Sequence, residues 1–300
     1  MHDPRIGRFF AVDLLSPKYP WYTPYQFSGN KVIDHVELEG LEEAPYQGQE
    51  KIENGVKRVY MEAAPGSNKY SAWIKVPTEE ELDRIQSNIY KGIETVRNTK
   101  GGKEAADNLE RYMKGTGDIS VNMAWLNQFD HFKDAKRRTI HHQFFGENSK
   151  TGKSLLDKMS EMKDGSTMEH EDFWEAAVEF SLAERMAYSK GYVGERSLYF
   201  AWGGSTLTSK FDIKITRNGN VYEITGTFQI DWSDKYDWHY GLGVQIPGAG
   251  GVDDKDLILM ELYRGAVPFE GTASSTFEVN MTMDADTGTS TINSFVEIEN

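Results

Sequence analysis

With 300 residues, 38% hydrophobic and 12% aromatic, the chain has material for one large folded domain or two medium ones rather than a disordered segment. No apolar run approaches the roughly 20 residues of a spanning helix, and the lack of cysteine excludes disulfides and thiolate metal sites. A formal charge of −14 is the opposite of the basic footprint that neutralises phosphates, so no nucleic-acid partner is expected.

The first 41 residues carry Asp3-Pro4, Gly7-Arg8-Phe9, Asp13-x-Leu15-x-Pro17, Tyr22, Pro24-Tyr25-Gln26-Phe27, Asn30 and Glu39-Gly40-Leu41, in that order. Pro4, Pro17, Pro20 and Pro24 forbid a long helix, and the aromatic residues supply anchoring area. This stretch resembles the closing segment of an Rhs (YD-repeat) core. In that family the core encases a variable C-terminal toxin, so the resemblance implies that residues after Leu41 are cargo and that an Rhs core precedes them. Many such cores cleave themselves at Asp-Pro-x-Gly-Leu. Here Glu37-Leu38-Glu39-Gly40-Leu41 has neither the Asp nor the Pro.

Residues 42–77 are turn-rich, with a short strand pair expected over Val56–Tyr60 and Tyr70–Val76. Thr78 with Glu81 three residues on reads as a helix N-cap, followed by Leu82, Ile85, Ile89, Ile93 and Val96 at helical spacing. Gly101-Gly102 ends that helix, and further helices are predicted over Glu104–Met113, Val121–Ile140, Ser154–Met162 and Met168–Tyr188. From Arg196 the composition turns to Thr, Val, Ile, Phe and Tyr. Phe211–Ile215 and Val221–Ile230, joined through Asn218-Gly219, predict a hairpin; Leu257–Tyr263, Ser275–Met283 and Thr289–Ile298 predict further strands. The expected fold is α+β: an Rhs core end over 1–41, a mainly helical region over 42–190, and a β-rich, antiparallel, barrel-like activity domain over 191–300.

The densest chemistry is Asp231-Trp232-Ser233-Asp234-Lys235-Tyr236-Asp237-Trp238-His239, three carboxylates, a phenol and an imidazole within nine residues. Carboxylates three apart face one cation where a strand gives way to a turn, and Mg²⁺ takes a few carboxylates plus waters and phosphate oxygens. Tyr236 can donate to a phosphate oxygen, and His239 can exchange protons near neutral pH. The same residue types also cap turns and fill cores.

Asp234-Lys235-Tyr236-Asp237-Trp238, placed after the hairpin, resembles the Asp-x-Tyr-Asp motif of colicin M and related lipid II-degrading bacteriocins. Gly191-Tyr192-Val193-Gly194-Glu195-Arg196-Ser197 is similar, more loosely, to a Gly-rich turn of that family. The family follows its second Asp, after five residues, with a His-Arg pair; here that slot holds Gly243-Val244. The resemblance implies Mg²⁺-assisted hydrolysis of the phosphoester joining undecaprenol to the pyrophosphate of lipid II. Asp234 and Asp237 would then be metal or base groups, Tyr236 a phosphate donor, His239 an acid/base and Arg264 an oxyanion clamp.

Two other regions compete. Residues 121–154 hold six basic side chains against three acidic ones, together with His131, His141 and His142, which is similar to the His pair of HNH-type nucleases without the downstream Asn or His. After Arg264 there is no Lys or Arg, while Glu270, Glu278, Asp284, Asp286, Glu297 and Glu299 follow, which suits either a solvated face or a partner-docking surface. The reading that emerges is a delivered antibacterial effector acting in the periplasm of target bacteria. Its partners would be an envelope substrate such as lipid II and a cognate immunity protein. A metal-dependent nuclease using His141 and His142, or a non-enzymatic membrane-perturbing toxin, stays open.

Overall fold

A computed structural model describes residues 42–64, 69–146, 152–189, 196–241, 244–246 and 250–298, together with the short strand segments 2–3, 8–9 and 36–38. The elements run β1 (His2–Asp3), β2 (Arg8–Phe9), β3 (Val36–Leu38), β4 (Glu42–Ala44), β5 (Glu50–Glu53), β6 (Val56–Met61), β7 (Ala72–Lys75), α1 (Glu79–Arg97) and α2 (Lys103–Lys114). They continue with β8 (Ile119–Ser120), α3 (Met123–Leu126), α4 (Asp130–Phe145), α5 (Leu155–Ser160), β9 (Thr167–Val178), α6 (Leu182–Ser189) and α7 (Arg196–Trp202). The last are β10 (Ser205–Asn218), β11 (Val221–Tyr236), β12 (Val244–Ile246), β13 (Gly250–Val252), α8 (Asp254–Arg264), β14 (Phe269–Asp284) and β15 (Ser290–Ile298). The chain is thus a mixed α+β protein. Most of the Rhs-like motif, and Gly191–Glu195 of the Gly-rich turn, lie outside the described residues.

The chain divides into two compact units, the division falling within α1. In the first, β5, β6 and β7 form an antiparallel sheet, with Asn54-Gly55 at the β5–β6 turn, both at positive φ as a type I′ turn requires. Val59 and Met61 of β6 are fully buried. Residues 257–263, predicted as a strand, form most of helix α8. An apolar run as short as Leu257–Met260 is ambiguous by periodicity, because a buried helix and a buried strand both look continuous. The deciding signal lies upstream: the Asp253 side chain accepts the Lys255 N–H at 3.0 Å, and Asp254 and Asp256 place negative charge at the helix N-terminus.

The second unit is built on a six-stranded sheet in the order β15-β14-β11-β10-β9, with β8 pairing in parallel beside β14. The β10–β11 hairpin closes at Asn218 opposite Val221, leaving Gly219 at φ +60° to start the two-residue turn. One face is apolar: Tyr222, Ile224, Phe228, Ile230 and Trp232 of β11 alternate inward with Leu207, Phe211, Ile213 and Ile215 of β10. Helix α4 lies against β9 and β10, where Gln143 Nε2 donates to the Ser209 carbonyl at 3.1 Å and Phe144 meets Phe211 edge-on. Asn108 of α2 donates to the Ala201 carbonyl of α7 at 2.8 Å. The opposite face carries Lys210, Asp212, Lys214, Glu223 and Glu270, all exposed. The strand order is open; among the described residues no closed barrel forms.

The stretch Met168–Tyr188, predicted as one helix, is instead strand β9 followed by α6. Glu and Ala in TMEHEDFWEAAV favour a helix locally, but twelve consecutive residues pair with β10, and the exposed and inward positions alternate along the strand. Tertiary pairing overrides the intrinsic preference. The helix predicted over Val121–Ile140 is split: α3 is capped by Asn122, whose side chain accepts the Ala124 N–H at 2.7 Å, and α4 starts anew at Asp130.

Candidate active site

Strand β11 does not end before the acidic motif but runs through it to Tyr236, with Asp234 opposite Gly271 and Tyr236 opposite Phe269 of β14. Since side chains alternate, Trp232, Asp234 and Tyr236 share the apolar face, whereas Asp231 points to the polar one. There Asp231 accepts hydrogen bonds from Gln229 Nε2 (2.9 and 2.8 Å) and Ser274 Oγ (2.6 Å), a satisfied surface network. Asp231 is therefore removed from the pair formed by Asp234 and Asp237.

Aromatic rings line the face of the sheet that Asp234 shares. Trp202 of α7 meets Trp232 edge-on at 5.1 Å, and Tyr236 stacks on Phe269 at 4.9 Å, with Tyr112 and Trp202 each 6.2 Å from Tyr236. The indole of Trp202 occupies the space over Gly271: a Cβ there would lie 2.2 Å from its Cη2. Glycine opposite Asp234 thus lets an aromatic wall close in where a side chain would stand. Loss of water, with the Asp237 charge adding to it, pushes the Asp234 carboxyl up to about 8, although the Lys235 backbone N–H pulls the other way. Burial and the nearby Asp234 also raise the Tyr236 phenol above its ordinary value, keeping it a hydrogen-bond donor.

Asp237 follows directly after the strand, its side chain 20% exposed and 3.0 Å from Lys235 Nζ. Asp234 and Asp237 are therefore brought within electrostatic reach of one another, and Tyr236 shares the face of Asp234. The other two predicted site residues, His239 and Arg264, belong to the other compact unit. His239 is exposed. Arg264 donates to Asp83 Oδ1 at 2.9 Å and pairs with Glu79 Oε2 at 2.8 Å, both on the first turns of α1. These contacts hold the guanidinium charged and commit it to the helix end. Position 243, in the slot for the family's His-Arg pair, lies outside the described residues, and Val244 is in β12.

Among the described residues no group of three or more His, Cys, Asp or Glu side chains is arranged for a metal. Two coupled carboxylates still fit Mg²⁺, which fills most of its shell with water and phosphate oxygens. A carboxyl pushed up by burial and by a neighbouring acid is also one whose charged form a cation would favour.

The rival His pair lies elsewhere in the same unit. His141 is exposed and stacks on Phe145 at 4.6 Å; His142 stacks on Trp174 of β9 at 4.3 Å, and desolvation lowers its pKa. Sequence reasoning missed its neighbours His170 and Asp172. These stand with Trp174 on the inner face of β9, an i, i+2, i+4 pattern that the helical reading concealed. His170 is 6% exposed, its Nε2 has no hydrogen-bond partner among the described residues, and burial lowers its pKa against the opposing pull of Asp172. A pocket of about 590 Å³, lined by His131, Arg138, Phe180 and Glu184 among others, was also not marked by sequence. In it His131 Nε2 lies 2.9 Å from Glu184 Oε1, while Ser181 holds the other carboxylate oxygen at 2.6 Å.

No described helix is long and apolar enough to cross a membrane. No protein-family model, curated protein or solved structure matches the chain. The likenesses to Rhs cores and to colicin M rest on the short motifs alone.

Proposed function

We propose that the chain is the cargo end of an Rhs-type antibacterial toxin, and that Asp234 and Asp237 hydrolyse an envelope phosphate ester. By the colicin M likeness the substrate is the undecaprenyl phosphoester of lipid II, attacked in the periplasm of a rival cell. An upstream Rhs core would deliver the toxin and an immunity protein would protect the producer. The carrying observation is the coupled pair at the end of β11, with one carboxyl pushed up to about 8 beside a second acid and a phenol. Strongly perturbed acids grouped in this way are a mark of acid–base chemistry.

In the cation-free protein Asp234 holds its proton at neutral pH and can donate it to the ester oxygen that leaves with the undecaprenyl chain, while water forms the new bond to phosphorus. Tyr236, also protonated, would orient a second phosphate oxygen. Asp237 would accept the proton of the attacking water. Were Mg²⁺ held by Asp234 and Asp237 instead, both carboxyls would be ionised and the ion, rather than the Asp234 proton, would neutralise phosphate charge. The test is expression in a bacterium with and without a periplasmic signal. Lysis only from the periplasmic form, lost in Asp237→Ala and Asp234→Asn, supports the proposal; toxicity only from the cytoplasm, or lysis indifferent to both substitutions, overturns it.

A second reading is favoured by one observation: Asp172 acts electrostatically on both His142 and His170. A carboxylate that influences two imidazoles suits general acid–base cleavage of a phosphodiester. DNA or RNA degradation abolished by His142→Ala, with Asp234→Asn active, would select this nuclease. Liposome leakage insensitive to all three substitutions would select a membrane-perturbing toxin.

A further inference from the structure

Strand β15 is the edge of the six-stranded sheet, and among the described residues it pairs on one side only, with β14. All eight residues from Ser290 to Glu297 are exposed, including Ile292 at 64%, Phe295 at 47% and Val296 at 56%. Phe295 and Ile292 lie opposite Val279 and Met281, whose side chains are on the apolar face. Phe295 also stacks on Phe277 at 4.5 Å, so an aromatic strip runs out to the rim of the sheet. From Ser294 to Ile298 the pairing is regular, the one irregularity lying between Asn280 and Met281. An exposed, regular, apolar edge is a template for another strand, and proteins that must avoid this place Lys or Pro there. Residues 290–298 contain neither.

Charge selects the occupant. Residues 265–300 include six acids and no Lys or Arg. Glu278 faces Val296 across the pair, and Glu297, taking a hydrogen bond from Ser275 Oγ at 2.5 Å, stands on the same edge strand. Lys136 of α4 acts on Glu297 electrostatically. A second copy of this chain would bring together two such segments that carry six acids and no base, and an anionic membrane or nucleic acid would be repelled. A strand bearing Lys or Arg between apolar residues meets both the acidic rim and the apolar strip.

We infer that the free edge of β15 docks a Lys/Arg-bearing edge strand of a partner protein, adding a seventh strand to the sheet. Main-chain hydrogen bonds would supply affinity, and pockets and charges at alternate positions would supply specificity. The site is independent of the proposed chemistry at Asp234, which lies on β11.

The probe is a cyclised β-hairpin peptide whose open edge alternates Lys with Val, compared with the same hairpin carrying Glu for Lys. Both are titrated into the full chain, with amide hydrogen exchange read along residues 290–298. The expected result is slowed exchange over Ser294–Ile298 with the Lys hairpin only, and an apparent affinity that falls at least tenfold from 50 to 300 mM salt. Val296→Pro should abolish that protection. Because proline can disturb the strand itself, Glu278→Lys with Glu297→Lys provides the second variant, and it should reverse the preference toward the Glu hairpin. Unchanged exchange at β15, equal binding of the two hairpins, or a concentration-dependent dimer of the chain alone that Phe295→Lys dissolves would each overturn the inference.

Discussion

Replacing Asp234 with Asn should stabilise the metal-free protein at alkaline pH while removing the acid. The folded-state pKa is pushed up to about 8, whereas an unfolded aspartate ionises near 3.8. Between those values the unfolded chain gives up a proton that the fold retains. The contribution of this group is therefore fully present below the unfolded pKa and is lost as pH rises to the folded one. At about 1.4 kcal/mol per pH unit, the interval from pH 5 to pH 8 sets a ceiling of about 4 kcal/mol. Asp234 is only partly buried, so water reaching the carboxyl lowers the figure to about 2 kcal/mol. Asn keeps the shape and carries no titratable proton. Denaturant unfolding in EDTA, followed by the fluorescence of nearby Trp202 and Trp232, measures the difference. Relative to Asp234→Asn, the unsubstituted protein should lose about 2 kcal/mol between pH 5 and pH 8. Parallel pH dependences in the two proteins would refute the buried-carboxyl reasoning.

Gly271→Ala would drive a Cβ to 2.2 Å from the Trp202 indole, so it should destabilise by about 1–3 kcal/mol and blue- or red-shift the Trp202 emission, as read by denaturation and fluorescence. His170→Leu should flatten the acid side of the stability curve. The folded pKa of His170 is lowered by burial, so stability is present above the unfolded value of about 6.5 and lost as pH falls through the folded one. The substitution should reduce the loss between pH 7 and pH 5, with His142 retaining part of the slope, as denaturation at the two pH values would report. Arg264→Ala should speed amide exchange in the first turn of α1, where Glu79 and Asp83 lose their cation, and leave toxicity intact. Lost toxicity with unchanged exchange would return Arg264 to the chemistry.

Much of the β architecture was legible because its signals are local. The hairpin around Gly219 announced itself by residue type, and the alternation of Tyr222, Ile224, Phe228, Ile230 and Trp232 carries its own period. Helix α1 was legible from Thr78 and Glu81, which exchange the hydrogen bonds of a capping box at 2.8 and 3.3 Å. Strand β9 and helix α8 were misread for opposite reasons. In β9 the residue types favoured a helix while the pattern of exposure had period two; in α8 the pattern was silent and only Asp253 spoke. The acidic motif could be found by composition, but not the opposing Gly271 or the indole of Trp202, because those come from a strand 37 residues on and a helix 32 residues back. Strand register, which decides that Asp234 faces inward and Asp231 outward, is a tertiary property.

Register also gives the best physical reason to look for chemistry at Asp234. Its neighbours along the inner face of β11 are Trp232 and Tyr236, and a Leu or Phe at 234 would extend the apolar face at no electrostatic cost. An acid held protonated there destabilises the fold at neutral pH, by the same linkage that makes Asp234→Asn a stabilising substitution. Turn capping does not account for it, since residue 234 is within the paired strand, and surface solvation does not either, since that role is taken by Asp231 on the other face. A carboxyl that is costly to the fold, coupled to a second acid and flanked by a protonated phenol, fits a group kept for proton transfer better than one kept for structure.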